Sequence, residues 1–189
     1  MNLNKLPKVG FAIIMFAFVY LTVNLVGHDI PLNLATWSMW VIIDTSLLIS
    51  IVSTGNKRPW SMIGFESGAC VITFIAIVKL ALGHGEWVWG GTESLAASCV
   101  LIALITWKLT SGTVGIIAIT AAMYIAMTPT FVTQWQNPIG QDPVFWGACS
   151  LGCALEYIGK PKSVSQAFFP ACGTIFNGVA MLLSLRQYF

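Results

Sequence analysis

Two tryptophans and an aspartate share one face of an apolar segment. Trp37, Trp40 and Asp44 stand at positions i, i+3 and i+7, which places them on one side of an α-helix. Two indole rings beside a carboxylate offer a stacking surface and a hydrogen-bonding anchor to a small polar or aromatic solute. The spacing therefore predicts a solute-binding face. The alternative interpretation is an interfacial belt of tryptophans beside an acid that joins two helices.

Other polar and aromatic side chains within apolar segments are candidates for the same site. A carboxylate at bilayer depth costs ~2.5–3.5 kcal/mol, so its presence there needs a structural or functional reason. Glu66 lies within Gly64-Phe-Glu-Ser-Gly68, a GxxxG pattern that also lets another helix approach closely, so a packing role competes with a binding role. The predicted substrate-binding residues are Asp44, Trp40, Trp37, Glu66, Asn177, Asn24 and Trp146.

The composition shows which elements must carry these side chains. Of 189 residues, 57% are hydrophobic and 8% are charged, and the mean hydropathy is +0.81. A soluble domain has roughly a quarter of its residues charged, so a soluble enzyme and a disordered chain are excluded. The net charge of +2 is too small to predict a nucleic-acid partner. The composition predicts a polytopic membrane protein whose main partner is the lipid bilayer.

Seven apolar stretches approach the length of about 20 residues that a helix needs to cross a bilayer. They cover roughly 9–27, 34–54, 60–82, 88–107, 113–133, 143–158 and 164–185. The short loops between them make consecutive helices antiparallel neighbours. The predicted fold class is an all-α membrane protein with seven transmembrane helices, in a single integral membrane domain over 1–189.

Lysine and arginine positions predict the orientation of these helices. Seven of the nine basic residues fall on one side of the predicted bundle: Lys5, Lys8, Lys57, Arg58, Lys108, Lys160 and Lys162. The opposite loops carry Asp29, Glu86 and Asp142. Because basic loops stay on the cytoplasmic side, we expect the N-terminus in the cytoplasm and the C-terminus outside. The first stretch exceeds the apolar core of a signal peptide, and the short loops suit a bacterial cytoplasmic membrane.

The last three apolar stretches repeat the pattern of the first three. Aligning Trp37 with Trp146 places Trp146, Cys149 and Cys153 at the spacing of Trp37, Trp40 and Asp44. This predicts two three-helix units, 9–82 and 113–185, joined by a linker helix at 88–107. An odd linker helix gives both units the same orientation across the membrane, as in transporters with parallel repeats.

This layout resembles that of the SWEET, PQ-loop and PnuC-type transporter superfamily. The segment from Pro129 to Pro138 is similar to a PQ-loop, with Thr130 where that family has glutamine. The resemblance covers the whole chain in layout and about twenty residues in motif. It implies a solute site on the last helix at Asn177, where SWEET-type proteins carry an asparagine. The matching position in the first unit is Ile75, and the first unit has no Pro-Gln pair.

These patterns predict a small-solute transporter or facilitator with a midplane site between the two repeats. The alternative is a seven-helix membrane sensor or assembly subunit without transport activity. An enzyme is not expected, because no nucleophile is paired with a base. Cys149 and Cys153 share a helix face but fit buried thiols better than a metal site, so neither a metal nor a cofactor is predicted. A homo-oligomer is compatible with the sequence.

Overall fold

The computed structural model describes residues 3–27, 34–55, 58–85, 87–136, 142–159 and 163–189. Within these ranges the chain is helical and contains no β-strand. Several charged loop residues used to predict the orientation lie outside the described residues: Asp29, Lys57, Glu86, Lys160 and Lys162.

Eight α-helices follow one another along the described chain. They are α1 (Leu6–Gly27), α2 (Leu34–Ser53), α3 (Trp60–Ala81), α4 (Gly91–Leu109), α5 (Gly112–Ala126), α6 (Thr128–Gln136), α7 (Pro143–Gly159) and α8 (Val164–Leu185). Short 3₁₀ turns at Leu3–Lys5 and Arg186–Tyr188 precede α1 and follow α8. The predicted all-α class is therefore confirmed.

Four of the described helices, namely α1, α2, α3 and α8, are long and apolar enough to cross a membrane, and α5 is a shorter apolar helix. Large apolar side chains point outward from these helices. Phe16, Val23, Phe74 and Leu182 are all exposed. An aqueous surface rarely presents so many large apolar groups together, whereas a lipid-facing surface does. The long apolar helices are thus compatible with the expected membrane protein.

The fifth predicted stretch, 113–133, differs from the prediction because it divides into α5 and α6 at Met127. Pro129 is the second residue of α6, and proline suits the first turn of a helix, where its missing N–H costs no hydrogen bond. The backbone N–H of Phe131 donates to the carbonyl oxygen of Met127, so α6 begins directly where α5 ends. Most of the PQ-loop-like segment is therefore helical, and its last two residues lie outside the described residues.

Six helices form a ring. Around it, each helix packs against the next in the order α1, α3, α2, α5, α8, α7 and back to α1. Helix α4 lies outside the ring against α5 and α2, and α6 packs against α8. The ring places segments that are distant in sequence around a common centre.

Glycines allow α1 and α7 to approach each other closely. A β-carbon placed on Gly10 would lie 2.4 Å from the carbonyl oxygen of Gly152. One placed on Gly152 would lie 2.5 Å from Cγ1 of Ile14. Only glycine fits at such a contact, and paired small residues are a common means of close helix packing in membranes. This contact fixes one side of the ring tightly.

Candidate functional site

A cavity of about 580 Å³ lies at the centre of the ring. All six ring helices contribute side chains to its lining, whereas no described side chain of α4 or α6 does. Its volume is within the range of pockets that hold small organic molecules. Six of the seven predicted site residues line it: Asn24, Trp37, Trp40, Asp44, Trp146 and Asn177.

A layer of phenylalanines forms part of the cavity lining. Phe65 of α3 meets Phe169 of α8 edge to face, with ring centroids 6.0 Å apart. Phe18 of α1 packs in the same manner on Phe65 at 6.0 Å and on Phe145 of α7 at 5.3 Å. Edge-to-face pairs add favourable energy beyond the burial of their area. The layer joins helices from both halves of the chain.

Beyond the phenylalanine layer, Glu156 of α7 lies at the start of α3. A carboxylate oxygen of Glu156 accepts a hydrogen bond from the backbone N–H of Ser61. The first N–H groups of a helix have no partner within the helix, so a carboxylate from a neighbouring helix satisfies them well. The structure buries Glu156 at 2% exposure. The contact with α3 explains why it is not hydrated.

One end of the cavity, which we call the mouth, lies near the end of α1 and the starts of α2 and α7 and is lined by polar, half-buried residues: Asn24, Thr36 and Asp142. The side-chain amide of Asn24 donates to Oδ2 of Asp142 at 3.4 Å. Oδ1 of Asp142 accepts the backbone N–H groups of Val144 at 2.8 Å and Phe145 at 3.3 Å, so it caps the start of α7. Hydrogen bonds among described residues therefore already engage both carboxylate oxygens of Asp142.

Asp44 follows Thr36 by eight residues on α2, so it lies about 12 Å further along the helix from the mouth. Its side chain is only 4% exposed, lines the cavity and accepts no hydrogen bond from any residue that the structure describes. A buried carboxylate without a partner is costly, and it would be stabilised by a ligand that donates a hydrogen bond or carries positive charge. Trp37 and Trp40 line the cavity on the same helix. The predicted face of α2 is thus oriented toward the cavity.

The second half of the chain contributes Trp146, Asn177 and Tyr124 to the lining. Asn177 is 4% exposed and donates one amide hydrogen to the carbonyl oxygen of Gly173 at 2.7 Å. Tyr124 stacks on Phe176 with ring centroids 4.0 Å apart. The sequence analysis did not identify Tyr124. A tyrosine within an apolar segment is the signal that indicates such a residue, because a buried hydroxyl needs a polar partner.

Glu66 is the one predicted site residue outside the cavity lining. Its Oε1 accepts a hydrogen bond from Thr45 of α2 at 2.7 Å, and the Cys70 thiol lies 3.5 Å from the same oxygen. Glu66 therefore lies in the interface between α2 and α3. The flanking Gly64 and Gly68 face side chains of α1, as the GxxxG alternative proposed. A direct role for Glu66 in solute binding stays a prediction.

The cysteines of α7 lie in the protein core. Cys149 and Cys153 are both fully buried and belong to a cluster that includes Ile14 and Ile72. Among the residues that the structure describes, no group of three or more His, Cys, Asp or Glu side chains is placed to hold a metal ion.

Comparison with known protein families, curated proteins and solved structures finds no match to this chain.

Proposed function

We propose that the protein is an integral membrane transporter or facilitator that carries a small solute through the central cavity. The observation that carries this proposal is the buried carboxylate of Asp44, which lines a cavity of about 580 Å³ and has no hydrogen-bond partner among the described residues. Polar side chains that only join helices have their polar atoms paired, whereas a solute-binding site keeps a few polar atoms available for the solute.

Seven membrane crossings are part of the proposal. The four long apolar helices have the length and composition to cross by themselves. Helix α4, with 19 residues, would be ~28 Å long. Helix α5 crosses together with α6, and α7 has 17 residues, near the lower limit of about 17 for a crossing helix. The mouth then faces the side of Asp142, which the distribution of basic residues predicts to be outside.

The order of helices around the ring supports two parallel repeats. If α1, α2 and α3 are exchanged with α5, α7 and α8 respectively, the ring order is unchanged. A pseudo-twofold axis along the membrane normal has this effect. The order therefore supports units 9–82 and 113–185, with α4 as the linker outside the ring. The resemblance to the SWEET, PQ-loop and PnuC-type superfamily stays a prediction.

Transport would alternate access to Asp44 between the two sides of the membrane. In the described state, polar residues line the mouth, whereas the Phe65–Phe169 contact and the bond from Ser61 to Glu156 close the other end. Both of these closing contacts join one repeat to the other. Rocking the repeats apart at this end would open it, while the mouth closes.

Flux into proteoliposomes tests the proposal. Solutes that bind the purified protein are radiolabelled, and their uptake is compared with uptake by protein-free liposomes. We expect saturable uptake that falls at least about tenfold in Asp44→Asn, since the amide keeps the shape but loses the charge. Glu93→Gln is the matched control, because it removes the same charge outside the lining, at the start of α4, while the amide oxygen can still accept the hydrogen bond from the Thr36 hydroxyl.

The transport proposal would be overturned if solutes bind at Asp44 but do not cross the membrane. That result would favour the sensor alternative, in which the same cavity holds a ligand and nothing passes through.

A further inference from the structure

We infer that the central cavity selects small organic monocations, with an ammonium group on an apolar or aromatic body. This inference names the solute class for the proposed transporter. That such solutes are carried across the membrane rests on the proposed function, whereas their binding in the cavity does not. Binding in the cavity can be tested separately.

The charged groups of the lining are the first support for this class. Among the residues that the structure describes, two carboxylates line the cavity, Asp44 and Asp142, and no lysine, arginine or histidine does. Two of the described cations pack on tryptophans outside the lining: Lys8 is over the ring of Trp60, and Arg186 is over the ring of Trp135. Such a lining repels an anion and attracts a cation, because charges in an apolar surrounding are weakly screened.

The ligand charge follows from the hydrogen bonds of the two carboxylates. Asp142 already accepts bonds from Asn24 and from two backbone N–H groups at the start of α7. Asp44 accepts none from a described residue, and it lies deeper, at 4% exposure. One carboxylate is thus available, and one positive charge neutralises it. A charge-assisted hydrogen bond from an ammonium group is shorter and stronger than one from a neutral hydroxyl.

The remaining lining fits an apolar body better than a polyhydroxylated one. Trp37, Trp40 and Trp146 provide indole rings, which attract cations and stack on flat groups. Beside them stand apolar side chains such as Leu21, Met123 and Met127. A sugar exposes a hydroxyl in almost every direction and needs a polar partner for most of them. The few polar groups of this lining do not supply so many partners.

The test uses probes that share one body and differ in charge. Isothermal titration calorimetry on the detergent-solubilised full chain measures binding of 2-phenylethylammonium, 2-phenylethanol and phenylacetate. A second series with butylammonium, butanol and butyrate covers a smaller body. We expect the ammonium probe of at least one series to bind at least about tenfold more tightly than its alcohol, and the carboxylate to bind most weakly.

The variants assign this preference to Asp44. In Asp44→Asn the preference for ammonium over alcohol should fall below about threefold, whereas Glu93→Gln should keep it. Thermal unfolding without a probe shows that each variant is folded. The inference is overturned if, in both series, the alcohol or the carboxylate binds as tightly as the ammonium probe. It is also overturned if no probe of either series binds, or if Asp44→Asn keeps the preference for ammonium.

The two proposals fail in different ways. If ammonium probes bind in a manner that depends on Asp44 but do not enter liposomes, the solute class is supported and transport is contradicted. If neutral solutes are taken up as well as charged ones, transport is supported and the solute class is contradicted.

Discussion

Helices α2 and α7 carry the same spacing of side chains but bury them in different surroundings. On α2, Trp37, Trp40 and Asp44 all line the central cavity. On α7, Trp146 lines the cavity, whereas Cys149 and Cys153 are fully buried in an apolar cluster. Equal spacing on two helices therefore does not define equal environments. The neighbouring helix decides whether a face is packed or left open.

The close contacts of α7 with α1 and α8 explain the difference, and a β-carbon placed on Gly173 of α8 would lie 2.6 Å from the sulfur of Cys153. Gly152 lies next to Cys153, and it allows the backbones of α7 and α1 to approach until Gly152 meets Gly10 and Ile14. In the alignment of Trp37 with Trp146, the residue of α2 that corresponds to Gly152 is Ile43, which is buried in a different cluster with Leu47 and Ile116. The bulk of isoleucine prevents an equally close contact on α2, and the other face of α2 borders the cavity.

The largest effect that would sharpen this comparison is expected from Cys153→Asp. It places on α7 the residue type that α2 carries at the corresponding position. Cys153 is fully buried, so a carboxylate there has neither cavity nor partner, and we expect a loss of about 3–5 kcal/mol in the free energy of unfolding. Thermal and denaturant unfolding in detergent measure it, with Cys153→Ser as the milder control. Wild-type stability in Cys153→Asp would mean that the α7 face is as hydrated as the α2 face.

Gly152→Ala tests the contact that keeps the α7 face dry. Its new methyl group would lie 2.5 Å from Cγ1 of Ile14 and 2.8 Å from the carbonyl oxygen of Gly10. Helices α1 and α7 must then separate, and we expect a loss of about 1–3 kcal/mol in stability. Gly178→Ala is the matched control on α8, since its methyl group would meet only Oγ of Ser150 at 3.4 Å. Similar destabilisation by both variants would argue against a special α1–α7 contact.

Thr45→Val should have the smallest effect and concerns the side of α2 that faces α3. It removes the 2.7 Å hydrogen bond to Glu66, and we expect a loss of about 1 kcal/mol in stability. Thr106→Val serves as the control, because the Thr106 hydroxyl donates only within its own helix, to the carbonyl oxygen of Ile102. If Thr45→Val is no more destabilised than Thr106→Val, then Glu66 does not depend on this bond.

Local patterns predicted the helices well and part of the site. Apolar runs placed the starts of α2, α3, α7 and α8 at Leu34, Trp60, Pro143 and Val164, as the structure has them. The spacing of Trp37, Trp40 and Asp44 indicated a shared face because helical periodicity is a local property. Which side of α2 faces a cavity is not local, and the pattern alone left a belt of tryptophans as an alternative.

Contacts between distant segments account for what the sequence analysis missed. The bond between Glu156 and Ser61 depends on α7 lying beside the start of α3. The placement of Glu66 depends on its partner Thr45 in the facing helix. Tyr124 lines the cavity because α5 joins the ring. None of these neighbours is determined by the pattern of a single helix.

The most direct test of a solvent-accessible α2 face is the reactivity of two thiols at corresponding positions. Both variants replace Cys70, Cys99, Cys149 and Cys172 by serine. One keeps Cys153, and the other carries Asp44→Cys and Cys153→Ser. A charged methanethiosulfonate reagent labels each protein in lipid nanodiscs, which expose both membrane faces.

We predict that the thiol introduced by Asp44→Cys reacts at least about tenfold faster than Cys153, because only the former meets water in the cavity. Cys153 should become equally reactive after unfolding, which controls for its chemistry. Equal rates in the two folded proteins would contradict the account, since position 44 would then be as inaccessible as the core of α7.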